Sequence, residues 1–277
     1  MIGINLQTNN CKLVIGVIYI NLKYINSSRH CTTVSMVAIT TILNQNWKLS
    51  SVFDFKKIAF AGKSFCGITA TEDLYCADIT NQKWINQNFK AIHISMDPYT
   101  SVATASANNF AYFNYDGIVK PKFEQSGLST REKVKSIDYV DILSCFLSTT
   151  LTCIRISDFG TPVFRQPQMN LNSFSHNGHN IGCGVTLNKK LACTYNIQSD
   201  KPVWTINGNP LFQNIIDVKI FGTRKCVLTG LRQVYCSLLD TTEFYQVAFS
   251  YSFTAIALNG NQLAGINGKT ITVLNLQ

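Results

Sequence analysis

The side chains with most chemistry to offer in this chain of 277 residues are its ten cysteines. Eight fall as couples: Cys66 with Cys76, Cys145 with Cys153, Cys183 with Cys193, and Cys226 with Cys236, ten residues apart in three cases and eight in the other. Thiol couples can hold a metal or close a disulfide. Zinc sites use C-x2-C spacing or completing histidines, and neither occurs here. Each couple instead brackets a short hairpin, as in S-F-C-G-I-T-A-T-E-D-L-Y-C from Ser64 to Cys76. Residues opposed across a hairpin have Cβ atoms near the separation a disulfide needs. Two similar hairpins lack both cysteines together, with Ala103/Tyr112 and Ala255/Gly265 in their places. Core thiols would not vanish as couples, so four cross-strand disulfides are expected, and with them an oxidising compartment. The alternative is a set of reduced, buried cysteines in a cytosolic protein. Cys11 and Cys31 remain for a fifth bridge, in the N-terminal segment that also holds the N-x-S sequon at Asn26.

The other reactive groups make no catalytic case. His176 and His179 stand three apart in an Asn/Gly-rich loop without nearby carboxylates, so a metal there lacks a full ligand set. No nucleophile elbow, P-loop or dinucleotide fingerprint is present. The 15 acidic residues show no paired arrangement of the glycosidase kind. The reading is a binding protein and not an enzyme, with no cofactor and no metal.

What must position these groups is a repeat. Residues 37–47, V-A-I-T-T-I-L-N-Q-N-W, and residues 74–84, L-Y-C-A-D-I-T-N-Q-K-W, share Ile, Asn-Gln and Trp in the same places. Phe55-Lys-Lys-Ile-Ala-Phe follows Trp47, and Phe89-Lys-Ala-Ile-His-Ile follows Trp84. Trp204 begins a third clear copy, and Phe123 and Phe164 stand at the corresponding places between. The hairpins recur at about 40-residue spacing, ending at Cys76, Tyr112, Cys153, Cys193, Cys236 and, after a shorter gap, Gly265. Copies of three or four short strands are the signature of propeller blades, which must stack in a ring to bury both faces. The expected fold is all-β: a β-propeller, most naturally of six blades, over residues 37–277. Residues 37–46 resemble a spare last strand and are expected to close the ring against the C-terminal blade. Residues 1–36 are set apart as a signal-like segment or extra strands, which would make a seventh blade. Their apolar run Leu13–Ile20 is too short to span a bilayer.

Hydrophobic residues make up 46% of the chain and charged residues 14%, ample for a core. The net charge of +9 favours acidic partners, but the excess is scattered, which speaks against nucleic acid. Lys56, Lys57, Lys90 and Lys135 recur beside the strand that follows the aromatic, where they meet either phosphate or sulfate groups or solvent.

The pattern W-x-x-x-x-x-F-K-x-I followed by C-G-I-T…L-Y-C resembles the tectonin-type propeller repeat over residues 37–277, with propellers of the regulator-of-chromosome-condensation type a near neighbour by pattern. The resemblance implies a lectin-like protein that binds glycans or lipopolysaccharide at several sites, and the paired cysteines imply that it is secreted. Trp47, Trp84 and Trp204 are then candidate platforms for sugar rings, against a packing role between blades. A protein-interaction scaffold and a receptor ectodomain are the alternatives.

Overall fold

The computed structural model describes residues 4–8 and 11–15 and most of the chain from residue 47 onward. Residues 1–3, 9–10, 16–46, 62–63, 79–82, 97–100, 106–109, 115–123, 127–133, 141–142, 156–161, 167–169, 200, 208–213, 248–249 and 277 lie outside that description. The chain divides into two units, Met1–Gln45 and Asn46–Gln277. In the first, β1 (Ile4–Thr8) and β2 (Cys11–Ile15) form an antiparallel hairpin that takes up the start of the Leu13–Ile20 run. Cys31, Asn26 and residues 37–46 lie outside the described residues.

The second unit is a β-propeller of four-stranded antiparallel sheets. Five are built from strands consecutive in sequence. The first comprises β4 (Phe55–Ala61), β5 (Ser64–Thr69), β6 (Asp73–Asp78) and β7 (Ile85–Lys90), and the second β8 (His93–Met96), β9 (Ser101–Ala105), β10 (Phe110–Asn114) and β11 (Glu124–Ser126). The third holds β12 (Ser136–Val140), β13 (Leu143–Leu147), β14 (Leu151–Arg155) and β15 (Pro162–Gln166). The fourth holds β16 (Leu171–His176), β17 (Gly182–Thr186), β18 (Leu191–Thr194) and β19 (Thr205–Ile206). The fifth holds β20 (Ile215–Phe221), β21 (Arg224–Thr229), β22 (Val234–Leu238) and β23 (Tyr245–Val247). A sixth sheet joins the C-terminal β24 (Ala255–Asn259), β25 (Gln262–Asn267) and β26 (Thr270–Asn275) to β3 (Trp47–Ser50). Thr270 pairs with Ser50 and Val273 with Trp47, so an N-terminal strand supplies the last sheet's outer edge.

The first strands of successive sheets pack side by side in a closed circuit, from β4 through β8, β12, β16, β20 and β24 back to β4. Apolar clusters fill the spaces between sheets. One joins Phe55, Phe60 and Phe65 to Ala257, Ile271 and Val273 of the closing sheet. All four expected disulfides are present: Cys66–Cys76, Cys145–Cys153, Cys183–Cys193 and Cys226–Cys236. Each joins directly opposed residues of a sheet's second and third strands, and all eight cysteines belong to the clusters between sheets.

Two expectations need correction. The aromatic does not open the blade that follows it; it belongs to the outer strand of the blade before. Trp84 and Trp204 immediately precede β7 and β19, while Trp47 and Phe164 lie within β3 and β15. The sequence copy therefore straddles two sheets. In the last copy, Ala255/Gly265 is not the cysteine-equivalent couple, because Ala255 pairs with Ile266. The equivalent couple is Ala264 and Val273, one strand further on. The β24–β25 hairpin has the same length and a similar Asn-Gly turn, so the pattern matched one strand too early. Glycine settles the alignment: a Cβ on Gly67 would come within 2.5 Å of the Phe55 ring, and one on Gly265 within 2.4 Å of Phe253. Gly265 is thus the counterpart of the Gly67 that follows Cys66.

Candidate functional site

Pairing register shows which side chains share a level around the axis. Ala59, Ser95, Asp138, Ser175, Lys219 and Ala257 each stand opposite the first cysteine position of their sheet. Two residues earlier, Lys57, His93, Ser136, Ser173, Asp217 and Ala255 form a second level. A cavity of about 30 Å³ on the axis is lined by Ser95, Asp138 and Lys219 among others, room enough for a water molecule.

Asp138 is only 5% exposed and organises this centre. Its Oδ1 accepts from the Ser95 hydroxyl at 3.2 Å, and its Oδ2 from the Ser175 hydroxyl at 2.9 Å and the His176 N–H at 2.7 Å. Ser95 in turn accepts from the Tyr139 N–H, and Ser175 from the Ile220 N–H at 2.8 Å. One carboxylate thereby ties together four adjacent first strands, β8, β12, β16 and β20. A buried charge persists only when hydrogen-bonded in this way.

The two histidines of the pair lie in different surroundings. His176 is buried, and its Nδ1 accepts from the Gly178 N–H at 2.9 Å, which leaves the proton on Nε2, 3.4 Å from the Asp138 carbonyl. Burial holds its pKa below the usual value, against the pull of Asp138. His179 is exposed, and no metal-binding group of His, Cys, Asp and Glu occurs among the described residues.

Lys57 points the other way from the lysines with which it was grouped. Its ammonium donates to His93 Nδ1 at 2.6 Å, and burial, with Lys219 nearby, lowers its pKa to about 8 against the opposing pull of Asp217. Lys219 lies 3.4 Å from the Asp217 carboxylate; burial pushes its pKa down, but Asp217 and Asp138 outweigh that and raise it. Lys56 and Lys90 reach turn carbonyls instead, at Ala70 and Thr71, and Lys90 pairs with Asp73 at 2.7 Å. Lys135 is exposed. These four lysines do not converge.

Trp84 and Trp204 are half-buried packing residues. Trp84 lies 4.6 Å from the Phe55 ring and against the cluster that joins the first and closing sheets, and Trp204 meets Phe174 edge-on at 6.5 Å. Both indole N–H groups are buried without a hydrogen-bond partner. The side chain of Trp47 lies outside the described detail.

The turns between second and third strands form another recurring device, missed in the sequence. In Thr69–Glu72, Thr186–Lys189 and Thr229–Arg232 the fourth N–H donates to the first carbonyl. The threonine hydroxyl accepts from the following N–H, of Asp73, Lys190 or Gln233. Glu72, Lys189 and Arg232 have φ of 66°, 58° and 63°, and their carbonyls accept from Ala91, Ile215 and Phe253 at the approach to the next sheet. In the closing sheet the Lys269 carbonyl accepts from Ser51. These turns and the starts of the first strands therefore share one end of the propeller. A signal was present in T-A-T-E-D, T-L-N-K-K and T-G-L-R-Q, where threonine stands three before the strained residue.

No protein-family model matches the chain, and no curated protein matches it in sequence. Among solved structures it is similar to one described as the structure of U3-55K, with a TM-score of 0.56 and 8% identity over 79% of this chain and 80% of that one. It is also similar to the crystal structure of the RRP9 WD40 repeats, with a TM-score of 0.58 and 8% identity over 80% of each chain. At that identity the likeness is one of fold. The chain is a β-propeller, stapled by disulfides between neighbouring strands.

Proposed function

We propose that this propeller is a non-enzymatic scaffold that holds a partner protein, working in an oxidising, extracellular or lumenal compartment. The observation that carries the reading is the fold, a β-propeller of the kind also built by WD40 repeats. The axial groups support it: Asp138, Ser95, Ser175 and His176 are spent on one another and tie strands together. The four disulfides are compatible with the compartment. The lectin reading rests on the resemblance to tectonin-type repeats; of its candidate sugar platforms, Trp84 and Trp204 pack against neighbouring rings.

The test is cross-linking and mass spectrometry on the protein purified from its native source. A stable protein partner, retained in the presence of free sugars, is the expected result. Retention on lipopolysaccharide or glycans, lost to free sugar and with no protein cross-linked, would overturn it in favour of the lectin. Intact mass after alkylation, with and without prior reduction, tests the compartment. Cys66 and the seven other bridged cysteines are expected to react only after reduction.

A further inference from the structure

The scaffold reading leaves open which surface binds and what it takes. At the end of the propeller that carries the second-to-third-strand turns, large apolar side chains face solvent. Leu187 is 54% exposed, Leu231 77%, Ile216 42% and Val52 74%. They are neighbours through the backbone. The N–H of Ile215, next to Ile216, donates to the Lys189 carbonyl, and Gly230, next to Leu231, donates to the Asn214 carbonyl. Phe253 donates to Arg232, and Ser51, next to Val52, donates to Lys269. The patch thus runs over three successive turns, those of the fourth, fifth and closing sheets.

The charges on the three turns themselves are of one sign. Lys189, Lys190, Arg232 and Lys269 are all exposed on these turns. The acidic residues described nearby are Asp54, two residues after Val52, Asp217, which follows Ile216 and lies 3.4 Å from Lys219, and Glu72 and Asp73 of the first sheet, where Asp73 is paired with Lys90. Leucines at two turn tips face solvent among the described residues, and contiguous exposed apolar surface rimmed by charge marks an interaction site. No exposed aromatic lies on these three turns, so neither a base nor a sugar ring finds a stacking platform there.

Resting on the scaffold reading, we infer that this off-axis patch is the docking surface for an acidic segment of the partner protein. Apolar side chains of that segment would lie against Leu187, Ile216, Leu231 and Val52, and its carboxylates would meet Lys189, Lys190, Arg232 and Lys269.

The probe is a fluorescein-labelled twelve-residue peptide of alternating Glu and Leu, titrated with the full chain by fluorescence anisotropy. A Lys-Leu peptide, a heparin oligosaccharide and a single-stranded oligonucleotide serve as competitors. The Glu-Leu peptide is expected to bind and the Lys-Leu peptide to fail as competitor. The pair Leu187→Ser/Leu231→Ser and the pair Lys190→Glu/Lys269→Glu should each weaken binding roughly tenfold or more, the scale of one or two lost interface contacts. Lys201→Ser/Val203→Ser, in the β18–β19 connection at the opposite end, should change it less than about twofold. Circular dichroism melting confirms that each variant folds. Binding that is absent, or unchanged in both patch variants, overturns the inference, as does a patch that takes heparin or the oligonucleotide in preference to the peptide. If the native partner cross-links to the opposite end, this surface is wrong and the scaffold stands; if no protein partner is found, the scaffold itself falls.

Discussion

Asp138 makes a strong individual claim on stability because three donors from two strands besides its own depend on its two oxygens. Removing the carboxylate strands the Ser95 and Ser175 hydroxyls and the His176 N–H where water is scarce. Asp138→Ala should therefore cost about 3–5 kcal/mol, and Asp138→Asn, which keeps one acceptor oxygen, roughly 1–3 kcal/mol. Urea unfolding followed by tryptophan fluorescence checks both values. Lys57 makes a second, pH-dependent contribution. Its folded pKa of about 8 lies below the ordinary 10.5, so between those values the unfolded chain holds a proton that the folded chain has released. Stability then rises with pH across that window. Against Lys57→Met, the wild type should gain about 1–2 kcal/mol between roughly pH 8 and 10.5, discounted for partial exposure. Lys219 has its pKa raised, so its contribution is lost only above the ordinary lysine value, outside the window. Parallel stability curves for the two proteins would remove Lys57 from the account. The cysteines were legible in the sequence because four sheets repeat the same residue type at the same place. The axial level of Ala59, Ser95, Asp138, Ser175, Lys219 and Ala257 was not. Complementary partners must differ from one another, so a search for similarity passes over them.

At the scale of the element, the turns that join second and third strands do two jobs with one strained residue. The left-handed conformation at Glu72, Lys189 and Arg232 aims a carbonyl at the next sheet, and none of the three is glycine. A side chain in that conformation costs about 1–2 kcal/mol, part of which glycine returns as unfolded-state entropy. Arg232→Gly should thus stabilise the propeller by roughly 0.5 kcal/mol in chemical unfolding, even though it removes a patch cation. Thr229→Val, which deprives the Gln233 N–H of its acceptor, should cost about 1 kcal/mol. If both changes destabilise equally, the turn geometry is not what holds the residue. Strand hairpins were legible as alternating runs around turn residues. Their place in the sheet was not, because a first–second hairpin such as β24–β25 and a second–third hairpin such as β25–β26 read alike. Trp84 was legible as a landmark, but its strand belongs to the sheet before it, and only pairing partners reveal that.

The closing sheet takes its outer strand from the start of the propeller unit, at the joint of β26 with β3. The interface is short, four residue pairs from Thr270↔Ser50 to Val273↔Trp47, yet it fixes the last sheet to the start of the propeller. Without β3, β26 presents an unpaired row of backbone donors and acceptors, the kind of edge that recruits a second chain. The apolar cluster that joins Phe55, Phe60 and Phe65 to Ala257, Ile271 and Val273 would lose its covalent continuity with a paired outer strand as well. Two truncations separate this effect from anything the first unit contributes. A chain beginning at Asn46 keeps β3; a chain beginning at Ser51 lacks it and is otherwise identical. At about 0.5–1 kcal/mol for each cross-strand pair, the shorter chain should be less stable by roughly 2–4 kcal/mol, and should form dimers or larger species at concentrations where the longer one is monomeric. Equal unfolding midpoints and equal sedimentation for the two chains would show that the ring holds without its closing strand. The expected gap would instead show that those four residues hold the propeller shut.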